Sequence, residues 1–276
     1  MPSDKAEAFA ALHARPGAFV IPNPWDAGSA KLLASLGFEA LATTSAGLAF
    51  ALGRRDGEAA IGRAETLANA KAIVEATNLP VSADLEDGFG PHPKDAAETI
   101  RAAGAVGLVG GAIEDTTADP ARPIHDFNLA VERVAAAVEA ARALPFRFML
   151  TARAENFLHG RPDLDDTIRR LQAFEAAGAD VLYAPGLPGL DAIRTVCAAV
   201  NRPVNVVVGL GTQRFTVAEL GAAGVRRISV GSAFARAALG GLMRAAREVA
   251  EHGTFTFAAE ALPYAEANRA MDGRGG

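Results

Sequence analysis

Cysteine is almost absent from this sequence: Cys197 is the only one in 276 residues. It can close no internal disulfide and can build no thiolate metal cluster, so a reducing, cytoplasmic setting is expected. The five histidines, His13, His92, His125, His159 and His252, include no pair at a metal-ligand spacing, which argues against a zinc centre. Long apolar runs are missing as well. Charges interrupt every apolar stretch before the ~20 residues that a bilayer span needs. Asp4, Lys5, Glu7, His13 and Arg15 break the opening segment where a signal peptide would be apolar. Positive charge is not in excess, because 27 Lys and Arg face 32 Asp and Glu, giving a net charge of -5 with no basic run. Neither a membrane nor a nucleic acid is an expected partner, and a small molecule is.

What the chain has is apolar content, 50% of all residues, enough for a large core. Short runs rich in Val, Ile, Leu and Ala alternate with longer amphipathic, Ala-rich segments, the pattern of parallel strands joined by crossover helices. Eight strands are expected near Phe19–Pro22, Ala40–Thr43, Val81–Asp84, Gly107–Ile113, Phe146–Ala152, Val181–Ala184, Val204–Val207 and Arg227–Val230. Gly37, Gly104, Gly178 and Gly224 stand between a helical segment and the next strand, where glycine can take the left-handed position that ends a helix. Eight units without a polar linker favour a closed TIM (β/α)8 barrel over an open doubly wound sheet. The expected layout is a single domain over residues 1–276, with the barrel at about 17–252 and a C-terminal extension at 253–276 outside the repeat. Asp272 to Gly276 read as a disordered end.

In such a barrel the chemistry sits on the loops that leave the strands. The exits carry Asn23, Trp25 and Asp26; Thr44, Ser45, Ala46 and Gly47; Asp84, Glu86 and Asp87; Glu114 and Asp115; Arg153 and Glu155; Tyr183; Asn205; and Gly231 with Ser232. Asp84 and Glu86 are two apart, so extended geometry would point both into the mouth. Converging carboxylates repel unless a cation neutralises them, and a hard ion such as Mg²⁺ would do so. The competing reading is that these acids cap helices or pair with Arg153. The planar fork of Arg153, leaving the strand opposite the acids, suits either a substrate carboxylate or a salt bridge to Glu155 or Glu114. Thr43 to Gly47 offers a hydroxyl and close N–H groups for an oxyanion, or an ordinary turn. Gly209-Leu210-Gly211-Thr212 and Gly231-Ser232 are weak candidates for phosphate. Cys197, mid-helix among apolar neighbours, reads as a packing residue.

Taken in order, Ile21-Pro22-Asn23-Pro24-Trp25-Asp26-Ala27, Thr44-Ser45-Ala46-Gly47, Asp84-Leu85-Glu86-Asp87-Gly88-Phe89-Gly90, Ile113-Glu114-Asp115 and Ala152-Arg153-Ala154-Glu155 resemble the strand-end motifs of the isocitrate lyase and phosphoenolpyruvate mutase superfamily. The likeness runs from about Phe19 to Ala238. It implies Asp84 as a direct Mg²⁺ ligand, with Mn²⁺ as a substitute, and Glu86, Glu114 and Asp56 acting on the ion through waters. It implies Ser45, Ala46, Gly47, Trp25, Arg153 and Asn205 around the substrate, with Arg153, Asp56 and Ser45 catalytic. The implied activity is a lyase or decarboxylase passing through a metal-stabilised enolate of a small 2-oxo or 2-hydroxy acid such as oxaloacetate. The alternatives are a phosphonopyruvate hydrolase or mutase acting on a P–C bond, and a non-catalytic dicarboxylate-binding barrel. The lyase loop with a proton-carrying cysteine is missing, since Thr116 to Asp126 holds none, and His125 is left either as the proton donor or as a solvated loop residue. Relatives exchange the last barrel helix, so a homodimer or homotetramer is implied, with the apolar segment Phe255–Tyr264 suited to the contact.

Overall fold

The protein, seen in a computed structural model that describes residues 2–58, 60–117, 119–209, 211 and 214–272, is built around eight parallel strands. They are β1 (Phe19–Ile21), β2 (Leu41–Ala42), β3 (Val81–Asp84), β4 (Gly110–Glu114), β5 (Met149–Arg153), β6 (Val181–Tyr183), β7 (Val204–Val207) and β8 (Arg227–Ser229). The order is β1-β8-β7-β6-β5-β4-β3-β2. The two end strands meet through Ala42 N–H donating to Pro22 O at 3.0 Å. The Asn23 side chain reinforces that seam, donating to Thr43 O at 2.9 Å and accepting from Val230 N–H at 2.9 Å and Gly231 N–H at 3.0 Å. The sheet therefore curls into a nearly closed (β/α)8 barrel, and the open-sheet alternative falls.

The helices are α1 (Pro2–Ala14), α2 (Ala27–Ser35), α3 (Ser45–Ala51), α4 (Arg63–Ala76), α5 (Pro93–Ala105), α6 (Phe127–Arg142), α7 (Leu164–Ala176), α8 (Leu190–Ala199), α9 (Val217–Ala222), α10 (Ala233–His252) and α11 (Tyr264–Met271). Each expected strand is present, with boundary shifts at β4 and β5. Both start later and run on to include Glu114 and Arg153, which pair in register across the two strands. Three of the four expected helix-ending glycines are left-handed: Gly37 at φ +83°, Gly178 at +100° and Gly224 at +98°. Gly104 is not. It lies inside α5, where a Cβ would sit 2.7 Å from Leu144 Cδ1, so it permits close approach, and Gly107 at φ +89° makes the turn. After α10 come a short 3-10 turn (Thr256–Glu260) and α11, which packs against α2 and whose Met271 carbonyl accepts from Lys31 Nζ at 2.5 Å. Gly273 to Gly276 lie outside the described residues. No helix among the described residues is long and apolar enough to cross a membrane.

Most apolar side chains fill the shell between strands and helices, and a second cluster closes the barrel from below. There α1 sets Phe9, Ala10 and Leu12 against Phe19, Val109, Met149 and Val181, residues at or just before strand starts. Gly110 lets Phe9 in, since a Cβ would meet Phe9 Cε1 at 2.8 Å. His13 belongs to the same plug, with its ring edge-on to Phe9 and Phe19. Its Nδ1–H donates to Phe9 O at 2.8 Å, and its Nε2 is buried without a hydrogen-bond partner. A proton on Nε2 would have no acceptor. Burial, aided by the charge of Arg227, holds His13 down at about 3. The unfolded chain takes up that proton near pH ~6.5, so the fold loses this contribution as pH falls from there toward the folded value. The urea midpoint of the wild type should therefore drop, relative to His13→Leu, between pH 7 and pH 4.5. Parallel midpoints for the two proteins would refute this.

Candidate active site

The carboxyl ends of the strands surround a cavity of about 430 Å³. Its wall includes Ser45, Ala46, Asp56, Asp84, Glu86, Glu114, Arg153 and Asn205, eight of the ten residues expected to serve the site. Trp25 and Gly47 are not on that wall. Gly47 is buried in α3 against Trp25, where a Cβ would come within 3.0 Å of Trp25 Cβ and 2.5 Å of Thr44 Cγ2. Both stand behind the wall, and Trp25 O accepts from Asn69 Nδ2 of α4 at 2.8 Å.

Arg153 is the centre of the cluster. Its Nη1 lies 2.8 Å from Glu114 Oε1 and 3.3 Å from Asp84 Oδ1, its Nε lies 2.6 Å from Glu155 Oε1, and its guanidinium carbon is 4.8 Å from the centre of the Tyr183 ring. It sits beside the acids rather than opposite them, because β5 is the neighbour of β4 and places Arg153 across from Glu114. Burial opposes its charge, yet Glu114, Glu155 and Asp84 hold it protonated well above the usual arginine range. Asp84 Oδ2 accepts from Ser45 Oγ at 2.9 Å and from Ser45 N–H at 3.4 Å. The Gly47 N–H goes to the capping Thr44 Oγ1 at 3.3 Å, so two of the expected oxyanion donors are already engaged.

Asp84 and Glu86 share the cavity, but not through continued extended geometry. The strand ends at Asp84, Leu85 is fully buried, and Glu86 turns back in the left-handed region at φ +48° with its N–H on Asp84 Oδ1 at 3.3 Å. Arg133 braces this loop from α6, donating to the carbonyls of Asp87, Gly90 and His92. Asp115 faces away, accepting Glu155 N–H at 2.8 Å and Arg170 Nη1 at 2.9 Å. Six carboxyl groups and two guanidinium groups line the cavity. Burial, then the charges of Asp84, Asp87 and Asp56, pushes Glu86 up to about 7. Burial and Asp84 raise Asp56, and burial raises Glu114. This surplus of hard oxygen donors fits a divalent cation of the Mg²⁺ type. Among the described residues no three His, Cys, Asp or Glu side chains are set to hold a metal by themselves. Mg²⁺ needs only one or two direct carboxylates and completes its shell with water.

Other expectations changed with the fold. His125 is neither solvated nor on the wall: it is 7% exposed, its Nε2 is buried without a partner, and burial and Arg133 hold it down at about 4. The segment after β4 folds into a small hairpin through the Thr116–Ile124 bridge and lends Thr116 and Thr117 to the wall. Of the glycine-rich exits, Gly231 and Ser232 line the cavity, whereas Leu210 and Thr212 lie outside the described residues. The ionisable wall residues His159 and Arg227 were given no role at the site in the sequence reading. Arg227 opens β8 and points inward, donating to Asn205 Oδ1 and Thr151 Oγ1, each at 2.9 Å, while its Nη1 is buried without a partner. Period-two alternation within β8, inward at Ser229, was the available signal.

Residues 9–250 match the model of the phosphoenolpyruvate phosphomutase family. A structure from Burkholderia cenocepacia J2315, provisionally described as a lyase/mutase, is 58% identical, covers 97% of this chain and 95% of its own, and superposes with a TM-score of 0.95. An oxaloacetate decarboxylase of Bradyrhizobium sp. (strain BTAi1) is 30% identical over 75% of this chain and 70% of that protein. A phosphonopyruvate hydrolase solved with oxalate and Mg²⁺ shares the fold, with a TM-score of 0.86 at 23% identity over 98% of this chain and 95% of its own.

Replacing Arg153 by Met leaves Glu114 and Glu155 buried without their cation, which should cost about 3–5 kcal/mol of stability. A carboxyl group whose folded pKa is raised favours the fold at low pH and loses that advantage as pH rises through the folded value. The deficit of the variant, measured by urea unfolding, should accordingly be larger at pH 8 than at pH 5. An equal deficit at both would contradict the role given to Arg153.

Proposed function

This chain belongs to the phosphoenolpyruvate phosphomutase family, and from that premise we propose that it is a Mg²⁺-dependent lyase or decarboxylase that breaks a C–C bond in a small 2-oxo or 2-hydroxy acid of the oxaloacetate type. The coarser statement needs no proposal: the chain is an enzyme of the carbon–carbon lyase type, in a superfamily of lyases and mutases that act on small carboxylic acids. The observation that carries the finer reading is the one cavity in which Arg153, braced by Asp84, Glu114 and Glu155, faces the unneutralised carboxyl groups of Glu86 and Asp56.

Asp84 is assigned as the direct ligand, with Glu86, Glu114 and Asp56 acting on the ion through waters and Mn²⁺ as a substitute. When bound, the ion supplies Lewis acidity toward an enolate oxygen. The protein's own groups do the rest. Arg153, charged at every working pH, binds the substrate carboxylate, and the Tyr183 ring beneath it fixes the plane of the fork. Ser45 Oγ, now on Asp84, can turn to a substrate oxygen, and Ala46 and Asn205 complete the wall while Gly47 and Trp25 stand behind it.

The purified protein with Mg²⁺ should convert oxaloacetate to pyruvate in a panel that includes phosphonopyruvate and 2-alkylmalates. Asp84→Ala should weaken both metal and oxalate binding at least about tenfold in calorimetry. No turnover of any panel member by metal-loaded protein would dispose of the lyase reading, and preferential release of phosphate from phosphonopyruvate would replace it with the P–C reading.

The same protein is proposed to work as a homodimer or homotetramer. Of the 20 residues of α10 only Ala235 is buried; the start of the helix rests on Gly47 and Gly209, and further along it meets the 3-10 turn. Leu239, Leu242 and Met243 form an exposed apolar stripe on it, continued by Phe255 and Tyr264. A second copy, with the same stripe uncovered, offers the matching surface. Leu242→Glu should shift the protein to monomer in light scattering, and an unchanged mass would count against the exchange.

A further inference from the structure

One histidine on the cavity wall is used neither by the barrel frame nor by the acid cluster. His159 lies in the loop that follows β5, just beyond Arg153. The loop folds back tightly: His159 N–H donates to Glu155 O at 3.2 Å, Arg161 N–H donates to Asn156 O at 2.9 Å, and Gly160 turns at φ +67°. Its main chain is therefore fixed, and the ring stands exposed at the rim next to Leu158.

An enolate made in this cavity needs a proton on carbon 3 before it can leave as a 2-oxo acid. Asp84, Glu114 and Glu155 are held by Arg153, and the Tyr183 phenol, under the same guanidinium, is pushed up by burial. No thiol is available, since Cys197 is in α8, away from the wall, with burial pushing it up to about 11. Glu86, folded against Asp84, is assigned to the ion, and Asp87 Oδ1 accepts from Phe89 N–H at 2.8 Å, which leaves Asp56 and His159 among the acid–base groups of the wall. Of these, His159 is the one imidazole among the described wall residues, and an imidazole exchanges protons readily near neutral pH.

We propose that His159 carries the proton to and from carbon 3 of the bound 2-oxo acid, an assignment that rests on the lyase reading above. In cleavage of an oxaloacetate-type acid the C3–C4 bond breaks and C4 leaves as carbon dioxide, while the bond's electron pair becomes the C2–C3 double bond and the carbonyl pair moves onto the enolate oxygen. As the ketone re-forms, the C2–C3 pair takes the proton from the His159 imidazolium and leaves neutral imidazole. In reverse, neutral His159 takes a methyl proton from bound pyruvate and returns one from solvent. Burial, with the facing charges of Arg153 and Arg161, favours the neutral ring at rest, which suits the reverse step.

That reverse step needs no C–C cleavage and can be read alone. Wild-type protein with Mg²⁺ in D₂O should exchange the methyl protons of pyruvate, followed by proton NMR, and oxalate should shift the His159 ring resonance. His159→Asn and His159→Gln should exchange about a hundredfold more slowly, within the usual range for general acid–base groups, while oxalate affinity stays within about twofold. His252→Asn should behave as wild type. Exchange that persists in both His159 variants, or that vanishes in Asp56→Asn and survives in His159→Asn, overturns the assignment. Wild-type protein that binds oxalate with Mg²⁺ but exchanges nothing removes the assignment alone. Failure to bind oxalate removes the lyase reading and this assignment with it.

Discussion

The buried guanidinium of Arg153 is the interaction on which the mouth of this barrel depends. Three carboxylates lie within ion-pair distance of it, from β3, from β4 and from its own strand exit. Each would be costly to bury alone, because desolvation of an unpaired carboxylate exceeds what neighbouring dipoles return. The cation makes their convergence tolerable, and they in turn keep it charged. The balance is incomplete, however, since Glu86 and Asp56 add carboxyl groups that feel Arg153 only at longer range than its three ion pairs. That surplus of carboxyl groups sets the site apart from a closed structural salt-bridge network.

Around this centre a second set of interactions turns loops into fixed walls. Asp115 receives the backbone N–H of Glu155 and the guanidinium of Arg170, which also reaches Asp166 at 2.8 Å, so the exit of β5 is tied to α7. Arg133 gathers three carbonyls of the loop after β3 and so supports Glu86 in a backbone conformation that a non-glycine residue rarely adopts. Asn23 stitches β1 to both β2 and β8 at the seam. Arg227 and Asn205 form the polar floor. With its carboxyl groups and Arg153 held this firmly, the cavity presents preorganised charge.

Local pattern carried much of this. Eight short apolar runs between amphipathic segments predicted eight strands, because strand and helix periodicity are properties of neighbouring residues. The same runs located Asp84, Glu86, Glu114 and Arg153 at their ends, and all four reach the cavity. The expected glycine ends were legible where the turn is local, at Gly37, Gly178 and Gly224. They failed at Gly104, whose missing side chain answers to Leu144, forty residues away.

By itself, then, the sequence determined the barrel, its strand exits and the acidic character of the site, since each follows from composition and spacing along the chain. Only the tertiary structure decided that α1 plugs the lower end, that Arg153 stands beside Glu114, that Glu86 reaches the cavity by a left-handed turn, and that Trp25 and Gly47 back the wall instead of forming it. It also decided that His125 is buried and His159 is at the rim. These outcomes depend on strand register and barrel closure, which bring together residues tens to hundreds of positions apart, and no short-range pattern encodes such contacts.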